Sequence, residues 1–173
     1  MVEGGQQEPV IAALSMYDWP EVESANDTLW AALRERLRRE GLPAPERLAR
    51  DRPYWQPWRS PQLLLAQTCG YPFVTELRGK VQLVATPTYA AEGCSGADYS
   101  SVILANRRSG PSSLRELGGM TAAVNSEHSQ SGHWALREAI ALAKGEAPHR
   151  VILSGGHRQS LRLVASGAAQ VCA

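Results

Sequence analysis

An α/β fold built on mostly parallel sheets is the class this sequence predicts, and three observations carry the prediction. Short apolar runs of strand length recur along the chain, each followed by a stretch whose apolar residues return at helical spacing. Gly, Pro, Ser and Asn punctuate the joints between the two kinds of segment. The composition is that of a folded chain: 173 residues, 43% hydrophobic and 20% charged, enough for one domain or two small lobes. Strands linked through helices run parallel, and the helices cover both faces of the sheet they connect.

Taken in order, residues 1–9 read as a disordered leader, and Val10 to Met16 as a buried strand closed by Tyr17-Asp18-Trp19-Pro20. Asn26 or Asp27 caps a helix that carries Leu29, Trp30, Leu33 and Leu37 on one face and ends at Gly41 and Pro43. Arg34, Glu35, Arg36, Arg38 and Arg39 form its solvated face. Residues 44–60 are a Pro-, Arg- and Trp-rich loop. Ser60-Pro61 reads as a cap with proline at the first helical position, opening a helix through Leu63, Leu64 and Leu65. Thr68 to Pro72 breaks it. Val81 to Thr86 is a further buried strand, and Ala91 to Ala97 a Gly-rich loop. Ser101 to Ala105 and Thr121 to Asn125 are strands on either side of a short helix, Ser113 to Leu117. Gly132 to Ala143 is a helix with Leu136, Ile140 and Ala143 on one face. Val151 to Ser154, Arg158 to Ser166 and Ala169 to Cys172 complete a strand, helix, strand succession.

Eighteen Lys and Arg against seventeen Asp and Glu leave a formal charge of +1, which points away from nucleic acid and other polyanions as partners. No apolar run approaches the roughly 18 residues of a membrane span. The N-terminus has neither the basic start nor the apolar core of a secretory signal, which points to the cytoplasm. Three cysteines, Cys69, Cys94 and Cys172, show no metal-type spacing. They read as cytosolic thiols or, in the sharper alternative, as a Cys69–Cys94 pair, since both lie in Gly-containing turns.

Two segments carry candidate chemistry. Asn125 to His133 lies between a strand and an amphipathic helix, so its hydroxyls and unpaired N–H groups sit at a helix N-terminus, where anions are favoured. Ser129 and Ser131 add hydroxyls, and Gly132 allows a ligand to approach the backbone. The alternative is that one serine merely caps the helix. Ser154 to Ser160 is a second strand-to-helix turn, with two glycines and His157 placed to donate a hydrogen bond; its alternative is an ordinary turn with a surface histidine. In open parallel sheets ligands sit at the carboxyl ends of strands, where both turns lie. A Ser–His hydrolase would need a G-x-S-x-G elbow, and H-E-x-x-H, Walker A and G-x-G-x-x-G motifs are likewise missing. The chain reads as a non-enzyme without cofactor or metal.

Five segments in one order resemble a known family: Gln67-Thr68-Cys69-Gly70-Tyr71-Pro72, Thr86-Pro87 with Tyr89, Asp98 to Ile103, Ser129-Gln130-Ser131-Gly132, and Ser154-Gly155-Gly156-His157. They are similar to the phosphate, phosphite and phosphonate solute-binding proteins of ABC transporters, within the type 2 periplasmic-binding superfamily. The resemblance implies two α/β lobes with mostly parallel sheets, here residues 10–97 and 98–173, closing on a small anion, with an ABC permease as partner and a periplasmic location. It implies ligand contacts from Ser129, Gln130, Ser131 and Gly132 at a helix start, from His157 on the next turn, from Tyr99 at the entry to the second lobe, and more loosely from Tyr71. Gln130 stands where the family commonly has threonine, so the preferred anion is expected to differ. The family's C-terminal return segment is not reached by Ala173, so the second lobe reads as incomplete and C-terminally short. Two alternatives keep the fold: a cytoplasmic small-metabolite sensor or enzyme, and an incomplete lobe that forms a homodimer through its open sheet edge.

Overall fold

A computed structural model of the chain describes residues 9–173, so all of the expected leader except Pro9 lies outside the described residues. The chain divides into two compact units, one ending at Cys69 and one spanning Gly70–Ala173. The division falls ahead of the lobe boundary placed at 97/98 from sequence. No helix among the described residues is long and apolar enough to cross a membrane.

In the first unit, strand β1 (Ile11–Ala13) pairs in parallel with β2 (Leu63–Ala66). The expected helix through Leu63 to Leu65 is therefore a strand. Three consecutive leucines would point to three sides of a helix and leave one in water, whereas a bulge between Ile11 and Ala12 lets Leu64 and Leu65 both pack on the core of Ala12, Trp30 and Leu48. Ser60 is a turn residue, its Oγ accepting from the Gln62 N–H at 3.1 Å.

Helix α1 (Glu23–Arg39) begins ahead of Asn26 and Asp27, which are committed elsewhere. Asn26 Nδ2 donates to Asp18 and to the Tyr17 carbonyl. Arg50 grips Asp18 with two nitrogens, at 2.6 and 3.2 Å, and Asp27 with a third at 2.8 Å. The charged face is not wholly solvated. Arg34 and Arg38 turn back onto the 44–46 loop, donating to the Glu46 and Ala44 carbonyls and pairing with the Glu46 carboxylate. The helix stops as expected at Gly41, whose φ of +78° suits glycine, with Leu42 N–H donating to the Leu37 carbonyl.

The second unit opens with a single turn, α2 (Gly70–Pro72), continuing as a π-helical turn, Phe73–Leu77. The strand expected over Val81 to Thr86 does not form; Val81 makes one isolated bridge to Arg78, and Leu83 and Val84 are 60% and 76% exposed. The Gly-rich loop is instead a hairpin, β3 (Cys94–Ser95) with β4 (Asp98–Tyr99), turned at Gly96, where φ is +59°. The sheet that matters for the site comprises β5 (Leu104–Ala105), β6 (Thr121–Val124), β7 (Arg150–Leu153) and β8 (Val171–Cys172) in the order β5-β8-β6-β7. β6 runs parallel to both β7 and β8, and β5 closes the far side antiparallel to β8. The expected helix over Ser113 to Leu117 is a 3₁₀ turn, Leu114–Glu116.

Alternation along β6 explains the layers. Ala122 and Val124 face α3 (Ala135–Leu142) through Leu136 and Ile140, while Ala123 faces α4 (His157–Ser166) through Val164. The result is a helix–sheet–helix sandwich of mixed α/β class.

The Asp18–Arg50 network yields a pH prediction for the first unit. Burial alone would raise the Asp18 pKa, but hydrogen bonds from Arg50 and Asn26 and the Arg50 charge hold it below its ordinary value. A carboxyl depressed by folding contributes its full stability above its unfolded pKa, roughly 3.9, and loses it as pH falls through the lower folded value. Arg50→Ala is expected to cost about 2 kcal/mol at neutral pH, with the difference from the parent shrinking below about pH 4. Tryptophan fluorescence during urea unfolding measures this, because Trp19, Trp30, Trp55 and Trp58, four of the five tryptophans, lie in this unit.

Candidate functional site

The site is built on the carboxyl ends of β6 and β7. Their register places Val124 opposite Leu153, and the ladder continues past the strands: Ser154 N–H donates to the Val124 carbonyl at 2.8 Å and Gly155 N–H to that of Asn125 at 3.1 Å. The two strand-to-helix turns are thereby held side by side.

On the β6 side, the helix starts at Ser129. Its Oγ accepts from Gly132 N–H at 3.0 Å, so the capping role weighed from sequence is realised. The next five residues, Gln130–Trp134, form a π-helical turn before α3 begins. Trp134 and Ala135 donate to carbonyls five residues back, at Ser129 and Gln130.

On the β7 side, Gly155 has φ +83°, and Ser154 Oγ and the fully buried Ser160 Oγ bond at 2.7 Å, bracing the turn from beneath. His157 then enters as the first residue of α4 and reaches across. Its Nε2 lies 3.1 Å from Ser131 Oγ and 3.3 Å from Asn125 Nδ2, while Nδ1 lies 3.3 Å from the Ala173 oxygen at the end of β8. Gly132 makes this approach possible. A Cβ there would stand 2.2 Å from Asn125 Oδ1 and 3.1 Å from His157 Cε1.

Ser129, Ser131, Gly132 and His157 are thus brought together, joined by Asn125, which sequence reasoning left out of the site. An asparagine ending a strand just before a serine-rich turn was the available signal. Gln130 and Tyr71 instead line a groove of about 460 Å³ with Trp134, Arg137 and Glu138. Tyr71 stacks on Trp134 with ring centroids 5.0 Å apart, and the Arg137 guanidinium lies 4.8 Å from the same indole. No spacing rule connects Tyr71 with Trp134, so this pairing was not readable in the chain. Tyr99 lies on β4, across the hairpin from Cys94, and is half exposed.

Cys69, Cys94 and Cys172 are free thiols. Burial pushes the Cys172 thiol pKa up, which keeps it protonated and unreactive. Among the described residues no group of His, Cys, Asp and Glu is arranged to hold a metal ion.

Parallel strands that end in two helix-starting turns define the class of α/β proteins that take ligands at strand carboxyl ends. A family model narrows the class: that of the ABC transporter, phosphonate, periplasmic substrate-binding protein family matches residues 11–173, and the chain belongs to this family. Comparison with curated proteins and with solved structures gave no match.

Gly132→Ala is expected to push Asn125 and His157 off their partners and to cost roughly 1–3 kcal/mol. Urea unfolding of the variant, followed by circular dichroism, checks it. A loss below half a kcal/mol would mean the turn has slack that the geometry denies.

Proposed function

We propose that this protein binds a small phosphorus oxyanion, a phosphonate, phosphite or phosphate, and presents it to an ABC permease. The reading is supported by family membership and, above all, by the Ser131–His157 hydrogen bond between the two turns. A phosphonate or phosphite has three oxygens to satisfy at once and phosphate four, and donors converging from two helix starts suit them. Ser131 Oγ–H and the leading N–H groups of the Gln130–Trp134 turn would take the charged oxygens. Ser129 Oγ accepts from Gly132 N–H, and its own O–H remains a donor. The dipole of the helical run favours negative charge at the same end. Gln130 and the Tyr71–Trp134 stack would then face an organic substituent on phosphorus.

His157 faces Ser131 Oγ through Nε2 and the Ala173 oxygen through Nδ1, so the cluster gathers hydrogen-bonding groups from both turns. A binding role needs only the donors.

Isothermal calorimetry with methylphosphonate, phosphite and phosphate tests the proposal. Ser131→Ala is expected to weaken binding at least about tenfold with little change in stability, the value of one hydrogen bond to a charged group. Ser129→Ala should cost about 1 kcal/mol of stability as well, because it removes a cap. In a thermal-shift assay, a ligand at about 100 times its Kd adds roughly 2.7 kcal/mol. Absence of heat with all three anions would sink the proposal.

A further inference from the structure

Resting on that reading, we infer that Asn125 is the positioning residue of the site: its amide is clamped between Gly132 and the His157 imidazole, and it sets the affinity for the anion by acting through His157.

The main chain provides the first anchor. Asn125 is the first residue past β6, and its carbonyl accepts from Gly155 N–H at 3.1 Å. The backbone that carries the amide is therefore already tied to the opposite turn. The side chain ties it a second time. Asn125 Nδ2 lies 3.3 Å from His157 Nε2, while Oδ1 is buried and lies against Gly132. A ring nitrogen can accept or donate, and a primary amide has one end of each kind, so the contact stands whichever end meets Nε2. The other end then lies against Gly132 in both cases. The missing side chain at 132 is what admits it, because a Cβ there would overlap the Asn125 amide and press on His157 Cε1.

Among the described residues, hydrogen-bonding groups hold the imidazole at three points, and these are not equivalent. Ser131 Oγ, 3.1 Å from Nε2, is itself a proposed ligand donor, so an arriving anion competes for that contact. The Ala173 oxygen, 3.3 Å from Nδ1, holds the far side of the ring through one backbone atom. Asn125 has no competing task and is enclosed on both sides. Its planar amide reaches His157 and Gly132 at once, and an alanine reaches neither. With the amide gone, the ring keeps only one contact that binding leaves undisturbed, and it gains freedom to rotate about its outer side-chain torsion. The anion must then order a ring that the parent protein holds ready, which weakens binding. A neutral amide also suits the place, since a carboxylate there would set a negative charge beside the incoming anion.

Double-mutant cycles on the whole chain test this, read by urea unfolding without ligand and by calorimetry with methylphosphonate and phosphite. Asn125→Ala should raise the Kd about tenfold. In a His157→Ala background the same substitution should change the Kd by less than about twofold, because the residue it acts through is gone. A merely structural role would lower stability and give equal Kd losses in both backgrounds. Without ligand, the destabilisations by Asn125→Ala and His157→Ala should sum to more than that of the double variant, which decides the matter where binding to His157→Ala is too weak to measure. Asn125→Ala should also relieve most of the destabilisation caused by Gly132→Ala. If Asn125→Ala does not fold, Asn125→Ser, too short to span Gly132 and His157, takes its place. An unchanged Kd, equal losses in the two backgrounds, additive stabilities, or an unrelieved Gly132→Ala would each overturn the inference while leaving the oxyanion-binding reading in place. If the parent binds no phosphorus oxyanion, that reading fails and takes the inference with it.

Discussion

The parallel register between β6 and β7 is the constraint on which the rest of the second unit depends. With Val124 opposite Leu153, two backbone hydrogen bonds beyond the strands tie Ser154 to Val124 and Gly155 to Asn125. Everything at the site follows from that alignment. A slip of one residue would invert the faces of β7. It would also carry His157 out of reach of Ser131 and Asn125. The register is secured from within by small side chains: Ala122 and Ala123 let helices approach closely from both sides, and Val124 and Val171 fill the remaining space. The chemistry at the turns therefore rests on a sheet core chosen for closeness rather than bulk.

Both units solve the same problem of holding a helix start against a loop, and they do so differently. In the first, charge does it: Arg50 gathers Asp18 and Asp27, and Asn26 adds a neutral donor, so the start of α1 is fixed by ions with little room for a ligand. In the second, neutral groups do it: Ser129 caps, Ser154 and Ser160 brace, and His157 is shared between an amide, a hydroxyl and a backbone oxygen. Neutral partners leave a site receptive to an incoming anion, whereas an internal ion pair has already spent its charge. A net charge of +1 is no obstacle to the proposed anion site, since local neutral donors rather than net charge would serve it.

Much of the second unit was legible in the sequence because its signals are local. Thr121 to Val124 and Arg150 to Leu153 are apolar runs bounded by Ser and Gly, and His157 to Ser166 shows a clean helical period ended by Gly167 at φ +83°. The serine turn and its glycine were recognised from residue type and position. Elements settled by tertiary pairing were not. Leu63 to Leu65 fit a helix or a strand equally well until β1 supplied a partner, and Val81 to Thr86 has a strand's composition but no strand beside it within the described chain. The partnership of Asn125 with His157 spans 32 residues, and the stacking of Tyr71 on Trp134 spans more; neither leaves a trace in local spacing.

The π-helical turn at Gln130–Trp134 has a broader meaning for how such a site can change. Five residues there occupy the span that an ordinary helical turn fills with about four. The extra residue acts as a phase shifter. It allows the start of the run, beside His157, and the core-facing stripe of Leu136 and Ile140 to be oriented independently, although they belong to one continuous helix. Diversity at positions 130 to 134 can accumulate without rotating the stripe that anchors the domain. Specificity and foldability are, in that sense, written on separate dials.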